Sequence, residues 1–284
     1  MKKFFLAALA LTLIIGLVAC KNEDKKTSED TKGQETQTET NEQTSGEKTE
    51  LYVFAAASLT ESLEEIKAAY EEENPHVEII YTFDSSGTLK TQIEEGAYAD
   101  IFISAAQKQM NALDPEKNPE AKDKVIDSAS RVDLLENKVC LVVPKGSQKD
   151  IKTFEDLNSD RVETIALGNS DVPVGQYSEE ILRNLGSWDA IQGKVTFGSN
   201  VKEVTTWVAE GVVDCGIIYK TDAYSAGLDV VYEEDGSHLD TPVVYPAALL
   251  QGSENPEEAG KLLVYFQGPE AMEIFQAVGF SPAK

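Results

Sequence analysis

From residue 51 onward, short apolar segments of strand character alternate with longer amphipathic segments of helix character. This alternation is typical of chains whose strands pair in a sheet while the connecting helices cover its faces. The strand candidates are 51–55, 77–83, 100–104, 138–143, 163–167, 194–197, 214–219, 229–232 and 243–250. The pattern therefore predicts an α/β fold with largely parallel sheets.

Three helix candidates combine an apolar face with a clear end signal. The first has its apolar face over 59–70 and is expected to end before Asn74-Pro75. The second covers 177–185 and precedes Gly186, and the third covers 201–209 and precedes Gly211. Glycine just after a helix suits the left-handed conformation that often ends one. The polar stretch 115–130 is expected to form a loop with a short helix.

Two serines lie where a strand candidate gives way to a helix candidate. Ser58 is in the run AAASLT at 55–60, and Ser86 is in the run DSSGT at 84–88. A helix N-terminus carries N–H groups without intrahelical partners and the positive end of the helix dipole, so a hydroxyl there can help to hold an oxyanion. The alternative is helix capping alone, because Ser58 and Glu61 have the spacing of a capping box.

The first 50 residues indicate a leader and a tether. Lys2 and Lys3 precede a 16-residue apolar run over 4–19, which is short of the about 20 residues that span a bilayer. The run ends in LVAC at 17–20, which resembles the lipobox of bacterial lipoproteins. The resemblance implies a lipoprotein signal peptide over 1–19 and a lipid anchor on Cys20, with an ordinary cleaved signal peptide as the alternative. Residues 21–50 contain no aliphatic or aromatic residue, so 20–50 is expected to be a disordered tether.

Charge and cysteine content narrow the classes of partner. The net charge of −25 becomes −27 without the two leader lysines, and binding to nucleic acid needs clustered basic residues, so no nucleic-acid partner is predicted. Cys140 and Cys215 lie in apolar strand candidates, which is typical of buried free thiols. Whether they form a disulfide stays open, because that depends on a distance the sequence does not give. Neither the cysteines nor the two histidines have metal-ligand spacing, and no cofactor is predicted.

Several motifs, in order along the chain, resemble the molybdate-binding proteins of ABC importers. They are VFAAASLT at 53–60, FDSSGTL at 83–89, GAYADIFISA at 96–105, VPVG at 172–175, GIIY at 216–219, YP at 245–246 and GF at 279–280. The resemblance implies the two-lobed type II periplasmic-binding-protein fold, each lobe a mostly parallel sheet flanked by helices, with the ligand in the cleft between them. It implies that lobe 1 is 51–143 plus 242–284 and lobe 2 is 144–241, with the hinge near Cys140 and Tyr245.

The same resemblance implies a ligand site made of hydroxyl and backbone N–H groups. Its residues are Ser58, Ser86, Val174, Val201 and Tyr219. Molybdate and tungstate are fully deprotonated at neutral pH, so they suit a pocket of donors. Phosphate keeps a proton that such a pocket cannot accept, and sulfate is too small to reach all of the donors. A carboxylate in the pocket would favour a protonated ligand, but Asp84 and Asp171 are expected to point to solvent, because aspartate is normally exposed.

The implied role is that of a monomeric lipoprotein on the extracellular face of a cell membrane, in a Gram-positive bacterium. It would capture molybdate or tungstate and deliver it to an import permease driven by an ATPase, without catalysis. One alternative is a protein of the same fold that binds sulfate, phosphate or a small organic acid. A serine hydrolase is disfavoured, because the segment 56–60 lacks the glycines of the G-x-S-x-G turn.

Overall fold

A computed structural model of the chain describes residues 48–121 and 125–284. The predicted signal peptide over 1–19 and the predicted lipid-anchored Cys20 lie outside the described residues, as does the predicted tether up to residue 47. The first strand begins at Thr49, so residues 49 and 50 of the predicted tether belong to the fold. Across the described ranges, no helix has the length and apolar character needed to cross a membrane.

The fold is α/β, with two sheets that are each flanked by helices. The first sheet contains β1 (Thr49–Ala56), β2 (Val77–Asp84), β3 (Ile101–Ile103), β4 (Val132–Asn137), β10 (Val243–Leu249) and β11 (Ser281–Pro282), in the order β11-β4-β10-β3-β1-β2. The second sheet contains β5 (Val139–Val143), β6 (Ile165–Gly168), β7 (Val195–Gly198), β8 (Cys215–Tyr219) and β9 (Asp229–Glu233), in the order β7-β6-β8-β5-β9. We call each sheet with its helices a lobe.

Each sheet is flanked by its own set of helices. Those of the first lobe are α1 (Thr60–Glu73), α2 (Ser86–Glu94), α3 (Gln107–Leu113), α8 (Pro256–Tyr265) and α9 (Pro269–Ala277). Those of the second lobe are α4 (Pro173–Asn184), α5 (Trp188–Ile191), α6 (Val201–Ala209) and α7 (Lys220–Ala226). The three predicted helices match α1, α4 and α6. Gly186 and Gly211 have φ angles of 69° and 67°, the left-handed conformation expected after a helix.

The predicted parallel pairing applies to only part of each sheet. In the first sheet β1 pairs in parallel with β2 and β3, and in the second β6 pairs in parallel with β7 and β8. The pairs that involve β4, β5 and β10 are antiparallel. β4 and β5 flank the first crossing between the lobes, and β10 follows the second. Both sheets are therefore mixed.

The first crossing between the lobes lies earlier than the predicted boundary after residue 143. β5 pairs with β8 and β9 along its whole length, so Cys140 belongs to the second sheet. β4 ends at Asn137 in the first sheet, which leaves Lys138 as the single residue between the two sheets. The chain returns between β9 and β10, and Tyr245 belongs to the first sheet. The crossing is hidden in the sequence because 132–143 has no glycine or proline to mark it.

All nine strand candidates correspond to observed strands, with ends that differ by one or two residues. β4 and β11 were not predicted. β4 has the sequence VDLLEN, in which buried and exposed positions do not alternate, so it lacks the usual pattern of a strand with one solvated face. It is a strand because β10 and β11 pair with it on both sides. The stretch 115–130 is irregular where it is described, apart from a short 3-10 helix over Ser128–Ser130.

Candidate functional site

A small cavity lies where the N-terminal ends of helical segments from both lobes meet. The space in it that is open to a water-sized molecule is about 10 Å³. Its lining residues are Ala56, Ala57, Ser58, Asp84, Ser85, Ser86, Ala105, Val172, Pro173, Val201 and Tyr219. The lining includes no lysine or arginine among the described residues. Free helix N–H groups and hydroxyls face one another here, an arrangement that favours an anion.

Ser58 lies in the 3-10 helix Ala57–Leu59 that leads from β1 into α1. No side chain caps either helix, so the capping-box alternative does not describe Ser58. Its hydroxyl instead forms a hydrogen bond of 2.9 Å with the hydroxyl of Tyr245, and both residues are buried. Glu61, the other half of the capping pattern, contacts Lys202 of the second lobe. Ser58 is therefore held in the cavity wall by a tertiary contact.

In the second serine motif both serines line the cavity, and one of them, Ser85, also caps the helix. Ser85 is the N-cap of α2, and its hydroxyl accepts a hydrogen bond from the amide of Thr88 at 3.1 Å. Ser86 follows as the first helical residue and is fully buried. Its hydroxyl oxygen accepts a hydrogen bond from the amide of Ala105 at 2.9 Å. Because that oxygen is already an acceptor, the Ser86 proton is available to a group in the cavity.

The second lobe contributes the N-termini of α4 and α6. Val201 is the first residue of α6 and lines the cavity, and its amide has no partner within the helix. Val174 is the second residue of α4 and is fully buried, but the cavity lining at that helix consists of Val172 and Pro173. Since Pro173 has no N–H, the amide of Val174 is the first that α4 can offer.

Tyr219 ends β8 and lines the cavity with a fully buried ring. Its hydroxyl donates to the carbonyl of Ala105 in the first lobe at 3.2 Å, a long hydrogen bond that a stronger acceptor could replace. Burial raises the pKa of Tyr219 well above its usual value, so the phenol keeps its proton at neutral pH. The structure thus brings Ser58, Ser86, Val201 and Tyr219 to one cavity, with Val174 beside it.

The two aspartates near the motifs behave differently. Asp171 is exposed, in agreement with the sequence prediction. Asp84 is half-buried and lines the cavity, which contradicts that prediction. One of its oxygens, Oδ1, accepts from the amide of Ser85 at 2.7 Å and from the side-chain amide of Asn200 at 3.4 Å. It faces inward because β2 continues one residue beyond its predicted end and pairs Asp84 with Ala56.

A charged cluster beside the cavity was not predicted from the sequence. The ammonium of Lys202, on α6, lies 2.6 Å from the carboxylate of Glu61 across the lobes and 3.0 Å from that of Asp222. Asp222 is buried, and burial raises its pKa to about 6 although Lys202 opposes the shift. Burial alone would lower the pKa of Lys202, but Asp222 and Glu61 raise it. These residues are far apart in sequence, so no local pattern signals the cluster.

Elsewhere in the described ranges, no group of three or more His, Cys, Asp or Glu side chains is placed to hold a metal ion. Cys140 and Cys215 are buried free thiols on neighbouring strands. Burial raises the pKa of each thiol to about 12. The cavity itself offers hydroxyl and amide donors together with one carboxylate, that of Asp84.

Comparison with known proteins agrees with this fold. Residues 51–281 match the family described as bacterial extracellular solute-binding protein. The chain is 32% identical over 281 residues to YvgL of Bacillus subtilis, provisionally named an ABC transporter substrate-binding lipoprotein; the match covers 99% of this chain and 98% of YvgL. It is 38% identical over 243 residues to the molybdate-binding protein ModA of Escherichia coli, covering 81% of this chain and 88% of ModA.

Among solved structures, the periplasmic molybdate-binding protein of Azotobacter vinelandii has the same fold. It superposes with a TM-score of 0.72 at 22% identity, covering 82% of this chain and all of that one. The family match spans both lobes, and the similarity to the Escherichia coli protein covers most of both chains. This chain therefore belongs to the bacterial extracellular solute-binding proteins, in the family that includes the molybdate-binding proteins of ABC transporters.

Proposed function

We propose that this protein binds molybdate or tungstate in the cavity between its lobes and delivers the ion to an ABC import permease driven by an ATPase. The observation that carries the proposal is the convergence of hydroxyl and helix N-terminal groups from both lobes on one small cavity. Family membership supports the transport role. The ligand is the protein's cargo, and the proposal requires neither a cofactor nor catalysis.

Five residues supply the proposed contacts to the ion, through seven donor groups. They are the hydroxyl and amide groups of Ser58 and Ser86, the amides of Val174 and Val201, and the hydroxyl of Tyr219. Hydrogen bonds to a charged group contribute roughly 1.5–3 kcal/mol each, so a set of this size can offset the cost of burying a dianion. Because every one of these groups donates, a fully deprotonated oxyanion fits them better than hydrogen phosphate does.

Asp84 supports a second candidate, a protonated oxyanion such as hydrogen phosphate. A carboxylate in the cavity wall can accept a hydrogen bond from the ligand's proton, which the backbone amides cannot do. Molybdate is the stronger candidate, because the proposed donors outnumber this single carboxylate. Sulfate or a small organic acid would need a cavity of different size.

The geometry does not favour hydrolysis. Ser58 bonds to the hydroxyl of Tyr245 rather than to a base. The two histidines pair elsewhere, His76 with Glu258 and His238 with Glu234. The nucleophile of a serine hydrolase needs a general base within hydrogen-bonding reach.

Isothermal titration of the purified full chain with molybdate, tungstate, sulfate and phosphate at neutral pH tests the ligand. We expect one-to-one binding of molybdate and tungstate, and loss of that binding in the double variant Ser58→Ala, Ser86→Ala. Ser62→Ala is the matched control, because this buried serine on α1 donates to the carbonyl of Leu59, away from the cavity. Tighter binding of phosphate or sulfate would overturn the proposed ligand, and undiminished binding by the double variant would overturn the proposed site.

We also propose that the chain is a monomeric lipoprotein, anchored through Cys20 to the extracellular face of a Gram-positive cell membrane. The lipobox-like run at 17–20 and the similarity to a lipoprotein-named relative support this. An anchor suits a bacterium without an outer membrane, where a soluble receptor would diffuse away. Replacement of Cys20 by Ser should release the protein into the medium and abolish incorporation of labelled fatty acid. Retention of that variant in the membrane fraction would argue against the anchor.

A further inference from the structure

The hydroxyl of Ser58 can serve the ligand only if its proton points into the cavity. Its partner, the hydroxyl of Tyr245, lies 2.9 Å away, and in such a pair either oxygen can be the donor. If Ser58 donates to Tyr245, it presents a lone pair to the cavity and repels an anion. If Tyr245 donates to Ser58, the serine proton is left for the ligand. The direction of this one bond decides which kind of ligand the site accepts.

Asn137, the last residue of β4, sets the direction. Its side-chain oxygen accepts a hydrogen bond from the amide of Lys138 at 2.8 Å. A backbone amide can only donate, so this contact fixes which end of the Asn137 side chain is the carbonyl. The nitrogen end then donates to the hydroxyl oxygens of Tyr245 at 3.1 Å and Thr221 at 3.0 Å.

The direction then passes from Asn137 to Ser58. Tyr245 accepts from Asn137, and its hydroxyl also lies within hydrogen-bond distance of the Ser58 hydroxyl. With an anion in the cavity to accept from Ser58, both protons find an acceptor only if Tyr245 donates to Ser58, and a buried hydroxyl proton without an acceptor is costly. Burial raises the pKa of Tyr245 well above its ordinary value, which keeps that proton in place. Ser58, having accepted, turns its own proton toward the cavity.

We infer that Asn137 and Tyr245 are positioning residues that hold Ser58 as a hydrogen-bond donor and so bias the site toward fully deprotonated oxyanions. The inference rests on the proposed function. Ser86 reaches the same state more directly, because the amide of Ala105 occupies its oxygen. For Ser86 a backbone N–H fixes the direction of the hydroxyl by itself. For Ser58 a backbone N–H does so through the side chains of Asn137 and Tyr245.

A double-mutant cycle with Tyr245→Phe and Ser58→Ala, read by titration of the full chain with molybdate, tests this role. Phenylalanine keeps the ring that packs against Tyr219 and Phe280 at centroid distances of 5.6 and 5.2 Å. We expect Tyr245→Phe to weaken binding about tenfold in the native background and to have little effect in the Ser58→Ala background. Equal losses in both backgrounds would overturn the inference, because they would show that Tyr245 acts independently of Ser58.

Selectivity provides a readout that a purely structural role would not change. In Tyr245→Phe the Ser58 hydroxyl oxygen is free to accept a hydrogen bond from a protonated ligand. The affinity for hydrogen phosphate should therefore rise relative to that for molybdate. An unchanged ratio of the two dissociation constants would count against the positioning role. Tyr81→Phe is the control, since the Tyr81 hydroxyl is buried without a hydrogen-bond partner in the described residues and lies outside the cavity lining. If the native chain bound no oxyanion, the proposed function itself would be wrong. If the native chain bound molybdate but the losses in the two variants were additive, only the positioning role would be refuted.

Discussion

Gly87 donates its backbone N–H to the carbonyl oxygen of Asp171 at 3.0 Å, joining the start of α2 in the first lobe to the loop before α4 in the second. A Cβ atom at Gly87 would lie 2.3 Å from that same oxygen. Carbon and oxygen atoms cannot approach so closely without a shift of the backbone. The absence of a side chain at this position is therefore what allows the lobes to meet beside the cavity.

Gly87→Ala should hinder closure of the lobes around a ligand. We expect affinity for molybdate to fall about tenfold or more, because binding is reduced by the fraction of molecules that can close. Titration calorimetry gives the affinity, and small-angle X-ray scattering with saturating molybdate gives the compactness of the complex. Gly260→Ala is the matched control, since a Cβ there meets no atom within 4 Å. Native affinity in Gly87→Ala would show that the contact with Asp171 is not needed for binding.

Asp84→Asn should strengthen binding of a dianion. Asparagine can still accept from the amide of Ser85, which now bonds to Asp84 at 2.7 Å, but it removes a negative charge from the cavity wall. The negative charge of Asp84 weakens binding of a dianion in the cavity by on the order of 1 kcal/mol. We therefore expect the variant to bind molybdate about fivefold more tightly at low salt. Titration at two salt concentrations measures the effect, which salt should reduce. If the variant instead bound both molybdate and phosphate more weakly, Asp84 would be an acceptor for a proton of the ligand.

Asp222 should make stability depend on pH between about 4 and 6. Burial raises the pKa of this carboxyl to about 6 in the folded protein, above its unfolded value of about 3.9. The folded state therefore holds the proton more tightly, and the stability this provides is present below about pH 4 and lost as pH rises through about 6. Urea denaturation of the native chain and of Asp222→Asn across this range should show the native chain losing stability relative to the variant. A constant difference between the two would contradict the raised pKa.

Cys140 and Cys215 should be unreactive in the folded protein. Both are buried, and burial raises the pKa of each thiol to about 12, so the reactive thiolate is scarce at neutral pH. Treatment with iodoacetamide followed by peptide mass spectrometry should find neither residue modified in buffer and both modified in denaturant. Labelling of either one without denaturant would reveal local opening of β5 or β8. Failure of both to label in denaturant without reductant would indicate a disulfide.

The positions of the two serine motifs could be predicted from the sequence because their signals are local. Ser58 and Ser86 each follow a run of strand residues and precede a helix, so chain order alone places them at helix N-termini. α1 ends at Glu73, just before Asn74-Pro75, because proline disfavours the helical conformation in the residue before it. Strand and helix periodicities are likewise set within a few residues, and they predicted nine strands and the α/β class.

What required the tertiary structure were the contacts between distant segments. β4 lacks a strand pattern of its own and is defined by its neighbours, and the crossing at Lys138 exists only because β4 and β5 join different sheets. Tyr245 could have been flagged, since a phenol within the buried strand β10 needs a partner for its hydroxyl, but that Ser58 is this partner depends on packing across 187 residues of sequence. The inward orientation of Asp84 likewise depends on the register of β2 against β1. Local propensity is encoded over a few residues, whereas the direction and partner of a buried hydrogen bond are decided only when the lobes assemble.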